Sequence, residues 1–235
     1  MIRCGHVARR CAWLLYLGVF GVHADTDADR ERMRRACPGF VAYVEAQQAK
    51  MPKPLLPAIA QPPPSDPQLR ETLLLMQASD QAARAAVMQR ADPGNEIVWH
   101  LMDVDADNLI ALRVIFAIGG VPTRTQVGDD GAAAAWLLLQ HADADQILQA
   151  GALDIMTMRA ATDESNGVGI AMLTDRVLLA QGKPQRYGSQ FLIKDGDETL
   201  RPTEDMAGLD RRREAMGLAP LADYECVLRL SYGAH

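Results

Sequence analysis

The sequence predicts a mainly α-helical fold: a multi-helix domain with one small β-hairpin after its central helices. Three observations carry that reading. Apolar side chains recur every three to four residues through most of the chain, Pro and Gly clusters separate those runs, and only after Gly182 does the period shorten to two. With 235 residues, 49% of them hydrophobic, the chain can bury a real core as one domain.

Residues 1–24 stand apart. Arg3, Arg9 and Arg10 precede an apolar run over residues 11–22, and Val22-His-Ala24 then supplies short side chains. That is the order of a secretory signal peptide cleaved after Ala24. The run is short of the roughly 20 residues a bilayer span needs, so an uncleaved anchor is the weaker reading, and no Cys follows it to carry a lipid. The Arg9-Arg10 pair is explained by the positive charge of such a segment more simply than by twin-arginine export. A soluble, periplasmic or secreted protein is expected, with no stable membrane insertion after signal cleavage. Cleavage removes three Arg and no acid, taking the formal charge from −6 to −9. An acidic surface with no Lys/Arg block argues against nucleic acid or anionic membrane as partner. Cys4 and Cys11 leave with the signal; Cys37 and Cys226 remain in a compartment that permits a disulfide, the alternative being two buried thiols.

Residues 25–50 read as an N-terminal helical arm, with Met33, Cys37, Phe40, Val41 and Val44 at helical spacing and Pro38 either kinking the helix or marking its first turn. Residues 51–67 hold seven prolines and form an extended connector. The main helical domain follows over residues 68–235, unless the Cys bridge ties the arm back. Ser65-Asp66-Pro67 opens a helix carried by Leu69, Leu73, Met76, Ala83 and Val87 to about Arg90. Further helices are predicted over residues 105–118, 130–142, 143–161, 166–181, 205–216 and 221–230. Between the helices at 166–181 and 205–216, Tyr187, Ser189, Phe191 and Ile193 alternate, Asp195-Gly-Asp turns, and residues 199–201 return as a hairpin.

Several apparent motifs dissolve on inspection. Asp103-Val-Asp-Ala-Asp107 imitates a calcium loop but has Asn108 at the sixth position and Val114 at the twelfth. Acids near the positive end of a helix dipole explain it better. His141-Ala-Asp143-Ala-Asp145 lacks any zinc frame, Gly167-Val-Gly169 lacks the strand and third Gly of a dinucleotide loop, and neither a nucleophile elbow nor a P-loop occurs. No metal or cofactor is expected.

The polar residues inside apolar helices are more informative. His141 ends a helix of Ala, Trp and Leu, where an imidazole can titrate near neutral pH or simply cap the negative dipole end. Asp175 and Arg176 lie in a helix apolar on nearly every face, where an unpaired charge costs several kcal/mol, so each must find a partner. Those partners could be structural, Asp175 with Arg186 and Arg176 with Asp143. The run Lys183-Pro-Gln-Arg-Tyr-Gly-Ser-Gln190 is dense in donors and acceptors.

Taken together, residues 127–143 with Trp136-Leu-Leu-Leu-Gln-His-Ala-Asp143, Leu173-Thr-Asp-Arg-Val177, Gln185-Arg-Tyr-Gly-Ser-Gln190, Asp210-Arg-Arg-Arg213 and Gly217-Leu-Ala-Pro-Leu221 resemble a bacterial family catalogued only as a domain of unknown function. The resemblance spans residues 103–224. Thr is usual in that family where Ser189 stands, and Trp where Val121 stands. The first difference keeps a hydroxyl; the second puts in doubt any ligand contact by that ring. The family implies no activity.

The leading expectation is a pocket for a small polar or anionic ligand, lined by His141, Asp175, Arg176, Gln185, Arg186, Tyr187 and Gln190, with Arg meeting an anionic or carbonyl group and Gln and Tyr fixing its orientation. A hydrolase or transferase is the alternative: His141 is then the general base, Asp143 or Asp175 orients it, and Arg186 or Tyr187 stabilises developing charge. In a third reading the polar cluster only fixes the fold of a structural or protein-interaction module.

Overall fold

The structure, a computed structural model, describes residues 27–50, 62–90, 94–160, 167–194 and 197–232. The signal segment, the proline-rich connector as far as Gln61 and the Asp195-Gly196 part of the hairpin turn lie outside the described residues. Among those described are nine α-helices: α1 (Asp27–Ala36), α2 (Pro38–Lys50), α3 (Pro67–Met88), α4 (Gly94–Gly119), α5 (Arg124–His141), α6 (Gln146–Arg159), α7 (Gly167–Ala180), α8 (Leu209–Ala215) and α9 (Leu221–Tyr232). Strands β1 (Phe191–Lys194) and β2 (Asp197–Leu200) pair antiparallel, Phe191 opposite Leu200, and form the one small hairpin expected after the central helices. No helix among the described residues is long and apolar enough to cross a membrane.

The described chain divides into two compact units. One comprises residues 62–160, with α3 packed on α4 and α5. Asp66 caps α3 by accepting from the Leu69 N–H, and Pro67 occupies its first turn, as the Ser-Asp-Pro signal predicts. α5 opens on a capping box: Thr123 and Gln126 satisfy each other's backbone N–H groups. Its first turn is offset from the rest by Gly128, at φ 73° and ψ 175°, a backbone conformation open to glycine and strained for other residues. Beyond that break, Ala134, Ala135 and Leu138 meet Leu73, Leu109 and Leu112 in the core.

α4 differs from expectation. It begins at Gly94 and runs 26 residues, so the acids at 103, 105 and 107 are mid-helix. Asp103 and Asp107 are exposed on its outer side, where solvation removes any need for the dipole.

The second unit comprises residues 27–50 with 167–232. Pro38 starts α2, the second of the two roles open to it, and Cys37 stands between α1 and α2. The Cys37–Cys226 disulfide, with Cα atoms 5.8 Å apart, joins that junction to α9. Residues 27–50, most of the stretch read from sequence as an arm, thus share a unit with the C-terminal helices: α9 packs on α1, α2 and α8. Met33, Phe40, Val41 and Val44 are buried there, as are Leu209, Leu218, Tyr224 and Val227. Gly167 opens α7 where a Cβ would come within 2.9 Å of the Met216 carbonyl oxygen, so only glycine allows that approach.

Candidate functional site

In the unit of residues 62–160, the spacing of α3 brings an acid into the core. Leu73, Met76, Asp80, Ala83 and Val87 alternate three and four residues apart, so Asp80 occupies a slot otherwise filled by apolar side chains and is fully buried. His141, the last residue of α5, meets it there. Its Nδ1 lies 2.9 Å from both carboxylate oxygens of Asp80. Arg84, one turn along α3, places Nε 3.2 Å from Asp80 Oδ1 and 2.9 Å from the same imidazole nitrogen, and its terminal nitrogen donates to Asp105 Oδ1 at 2.5 Å. Gln81 Nε2 donates to Asp80 Oδ2 at 2.8 Å.

The proton positions follow from these distances. Two carboxylate oxygens at 2.9 Å require a proton on Nδ1; without it, lone pairs would face one another. With that proton Nδ1–H donates to Asp80, while Arg84 Nε–H, which also points at this nitrogen from 2.9 Å, donates to Asp80 Oδ1; Nε2 carries the lone pair in the neutral imidazole and the second proton in the imidazolium. Burial pushes the Asp80 carboxyl up, but the His141 hydrogen bond and charge, Arg84 and Gln81 outweigh it and hold the group below the usual carboxylate range. Asp105 goes the other way. Burial raises it, the nearby Asp80 charge adds to the rise, and Arg84 does not cancel them.

Asp80, Asp105, Asn108 and His141 line a narrow hollow with Leu109, Leu112, Leu138 and Ala142. In this conformation it leaves essentially no room for a water-sized sphere, so a ligand would have to displace the side chains that line it. The Nδ2 of Asn108, 9% exposed, has no hydrogen-bond partner there. Arg84 takes the place among the acids that a cation would need, and among the described residues no three His, Cys, Asp or Glu side chains are grouped as metal ligands.

The other sequence-derived residues belong to the second unit. Asp175 is fully buried on α7, and its carboxylate gathers three backbone donors: Oδ1 accepts from the N–H of Arg186 at 2.7 Å and of Tyr187 at 2.9 Å, Oδ2 from that of Ser189 at 2.8 Å. It reaches Arg186 through the main chain, while the Arg186 guanidinium lies 3.3 Å from Glu204. Burial pushes the Asp175 carboxyl above the usual range, the hydrogen bonds from Ser189, Tyr187 and Arg186 opposing it. Carbonyls of the same loop are held by two arginines: Arg213 donates to Tyr187 and Gly188, Arg212 to Arg186. Gln185 is also buried, its amide bonded to the Gln190 carbonyl and N–H and to the Arg201 carbonyl. Gln190 Nε2 donates to Ser189 Oγ. Residues 185–190 are therefore a fixed loop, and the paired strands begin only at Phe191. Arg186 is exposed, Tyr187 and Gln190 are half-buried on that loop, and Arg176 is half-buried on α7.

A family model, described as a family of unknown function (DUF6624), matches residues 67–235, most of the chain. The chain belongs to the DUF6624 family. Neither a curated protein nor a solved structure matches it. The DUF6624 match takes in all of Asp80, Arg84, Asp105, His141, Asp175 and the 185–190 loop. Asp80, Arg84, Asp105 and Asn108 were missed in the sequence, although Asp80 stands in the apolar stripe of α3 and Asn108 occupies the same kind of slot between Val104 and Leu112 on α4. A search for polar residues inside apolar periodicities finds both.

Proposed function

We propose that this DUF6624 protein acts on a small polar molecule, with His141 as the acid–base group and Asp80 as the carboxylate that orients it, in a hydrolase or transferase reaction. One observation carries the reading: His141 Nδ1 is held at 2.9 Å from both oxygens of a fully buried Asp80. Such a pair fixes the tautomer, aims Nε2 and stabilises the imidazolium formed when Nε2 takes a proton. Arg84 is already shared between Asp80 and Asp105, so the surroundings of His141 favour a neutral or proton-donating ligand over an anion. Asn108 Nδ2 supplies a donor for a ligand oxygen.

Turnover of chromogenic esters and amides tests the reading. His141→Gln should abolish any activity found while leaving the fold intact, and Asp80→Asn should lower kcat by a factor of about 10⁴, the loss expected when the orienting carboxylate becomes an amide. Undiminished turnover in His141→Gln would end the proposal.

A second reading is favoured by the 185–190 loop, whose backbone is fastened by Asp175, Arg212 and Arg213 while Arg186 stays exposed. Rigid scaffolding of an exposed Arg and a half-buried Tyr suits recognition of a small anionic or carbonyl ligand, with Gln190 on the same loop as a further donor. Thermal shift against a panel of carboxylates and phosphates should then detect a ligand whose effect Arg186→Ala removes. Export belongs to the same proposal. It is supported by the order of charge and apolar residues before Asp25 and by a disulfide suited to an oxidising compartment, and N-terminal sequencing of the secreted form should begin at Asp25.

A further inference from the structure

The hollow beside His141 holds one donor and one acceptor side by side. Asp105 and Asn108, three residues apart, are neighbours on one face of α4, and both line the hollow. Asn108 is buried, yet its Nδ2 donates to nothing among the described residues. A buried donor left without an acceptor is costly, so the position calls for an oxygen brought from outside. A water cannot bring it while the hollow stays closed. Opening falls to the side chains that solvent already reaches: Arg84 is 25% and Asp105 33% exposed, against 13% for His141 and none for Asp80. Arg84 reaches from Asp80 to Asp105. When it turns outward, the Asp105 carboxylate is left to accept from a newcomer in its stead.

We propose that the hollow, opened by this turn of Arg84, takes a primary carboxamide, whose N–H donates to Asp105 and whose oxygen accepts from Asn108 Nδ2. The assignment rests on the His141–Asp80 reading for its chemistry, and on Asp105 and Asn108 alone for its recognition. Competing groups each leave one partner unmet. A carboxylate sets an oxygen against the Asp105 carboxylate, and an ammonium sets its protons against Asn108 Nδ2, itself a donor. An ester carbonyl serves Asn108 but brings no N–H to Asp105. A peptide bond has both groups, but being trans it carries them on opposite edges, and two neighbours on one helix face need them on the same edge. A primary carboxamide has an N–H beside its oxygen. In its hydrolysis His141 takes a proton from water as the water oxygen attacks the carbonyl carbon, then passes that proton to the nitrogen as the C–N bond breaks, leaving a carboxylic acid and ammonia.

NMR of the full chain, with acetamide as the probe, tests recognition apart from turnover. The Asn108 side-chain amide signal, assigned by its loss in Asn108→Leu, should move on titration with acetamide. Acetate, methylammonium and N-methylacetamide at equal concentration should leave it in place. Two substitutions should switch the preference, with the Leu109 and Leu112 methyl signals of the same hollow reporting binding. Asn108→Asp presents two acceptors and should favour acetamidinium over acetamide; Asp105→Asn presents two donors and should favour acetate. Each switch should reach about tenfold or more, the effect of replacing a hydrogen bond by two like groups face to face. The Asp105→Asn arm stands even if Asn108→Asp, which buries another acid, does not fold. Acetamide that binds and releases no ammonia sinks the acid–base reading and sustains the recognition. An Asn108 signal unmoved by acetamide, one moved equally by acetate, or a preference altered by neither substitution would each overturn the recognition, whatever the turnover.

Discussion

Asp80 holds a charge in a place where water cannot reach it, and its neighbours make that tolerable. His141, Arg84 and Gln81 together satisfy its oxygens. Removing it leaves three cationic or polar partners facing a cavity, so Asp80→Ala should destabilise the protein by about 3 kcal/mol at neutral pH, the lower end for breaking a buried pair because Arg84 keeps Asp105. The pH dependence has a definite sign. A carboxyl held below its unfolded value of roughly 4 contributes stability that is fully present above that value and disappears as pH falls through the folded one. Urea denaturation should therefore show a gap between the native protein and Asp80→Ala that is wide at neutral pH and closes in acid. Asp105 has the reverse sign: its raised carboxyl favours the folded state below the unfolded value and that contribution is lost as pH rises through the folded one. A gap for Asp80→Ala that widened in acid would sink the assigned protonation. Asp175 and His141 were legible in the sequence because the segments around them are apolar on nearly every side. Asp80 was not, since Gln77, Ser79, Gln81 and Arg84 surround it and hide the one face of α3 on which it replaces a leucine.

At the scale of elements, the 185–190 loop shows what competes with strand pairing. Tyr187, Ser189, Phe191 and Ile193 alternate as a strand should, yet pairing starts only at Phe191 because Asp175 takes the N–H groups of residues 186, 187 and 189 before a neighbouring strand can. Period two records which side chains alternate, and says nothing about where the backbone donors go. Asp175→Asn keeps the shape but turns one oxygen into a donor facing a donor. It should cost about 2 kcal/mol, the penalty of an unsatisfied buried group, and should raise amide exchange at Arg186, Tyr187 and Ser189 above that at Leu192. Equal protection in both proteins would show that the loop is held by Arg212, Arg213 and Gln185 alone. The long α4 teaches a related lesson. Acids were read as a helix start from their charge, whereas the absence of any Pro or Gly between Asn95 and Ile118 was the stronger signal, since nothing there breaks a helix.

For the whole molecule, the helical class and the single hairpin were legible, but the division into two units was not. One unit is discontinuous in sequence, residues 27–50 returning to 167–232, and local periodicity cannot say which distant face a helix will meet. Cys37 and Cys226 were the one long-range clue. Their bond closes a separation of 189 residues, and chain entropy alone assigns it about 5 kcal/mol. Yet that loop contains the whole unit of residues 62–160, and if those residues stay folded while the other unit opens, fewer than half of the loop residues are free. The entropy depends on the logarithm of loop length, so the stabilisation falls only to about 4.5 kcal/mol. Replacing both cysteines by alanine should therefore lower stability by several kcal/mol whichever way the chain unfolds. Near-UV dichroism isolates the effect, because Tyr224 is buried in the bridged unit, whereas Trp99 and Trp136 lie in the other. The tyrosine signal should be lost at a markedly lower urea concentration in Cys37→Ala/Cys226→Ala. An unchanged midpoint would mean that packing of α9 on α1 and α2 already holds the N-terminal helices in place, and that the disulfide contributes nothing beyond it.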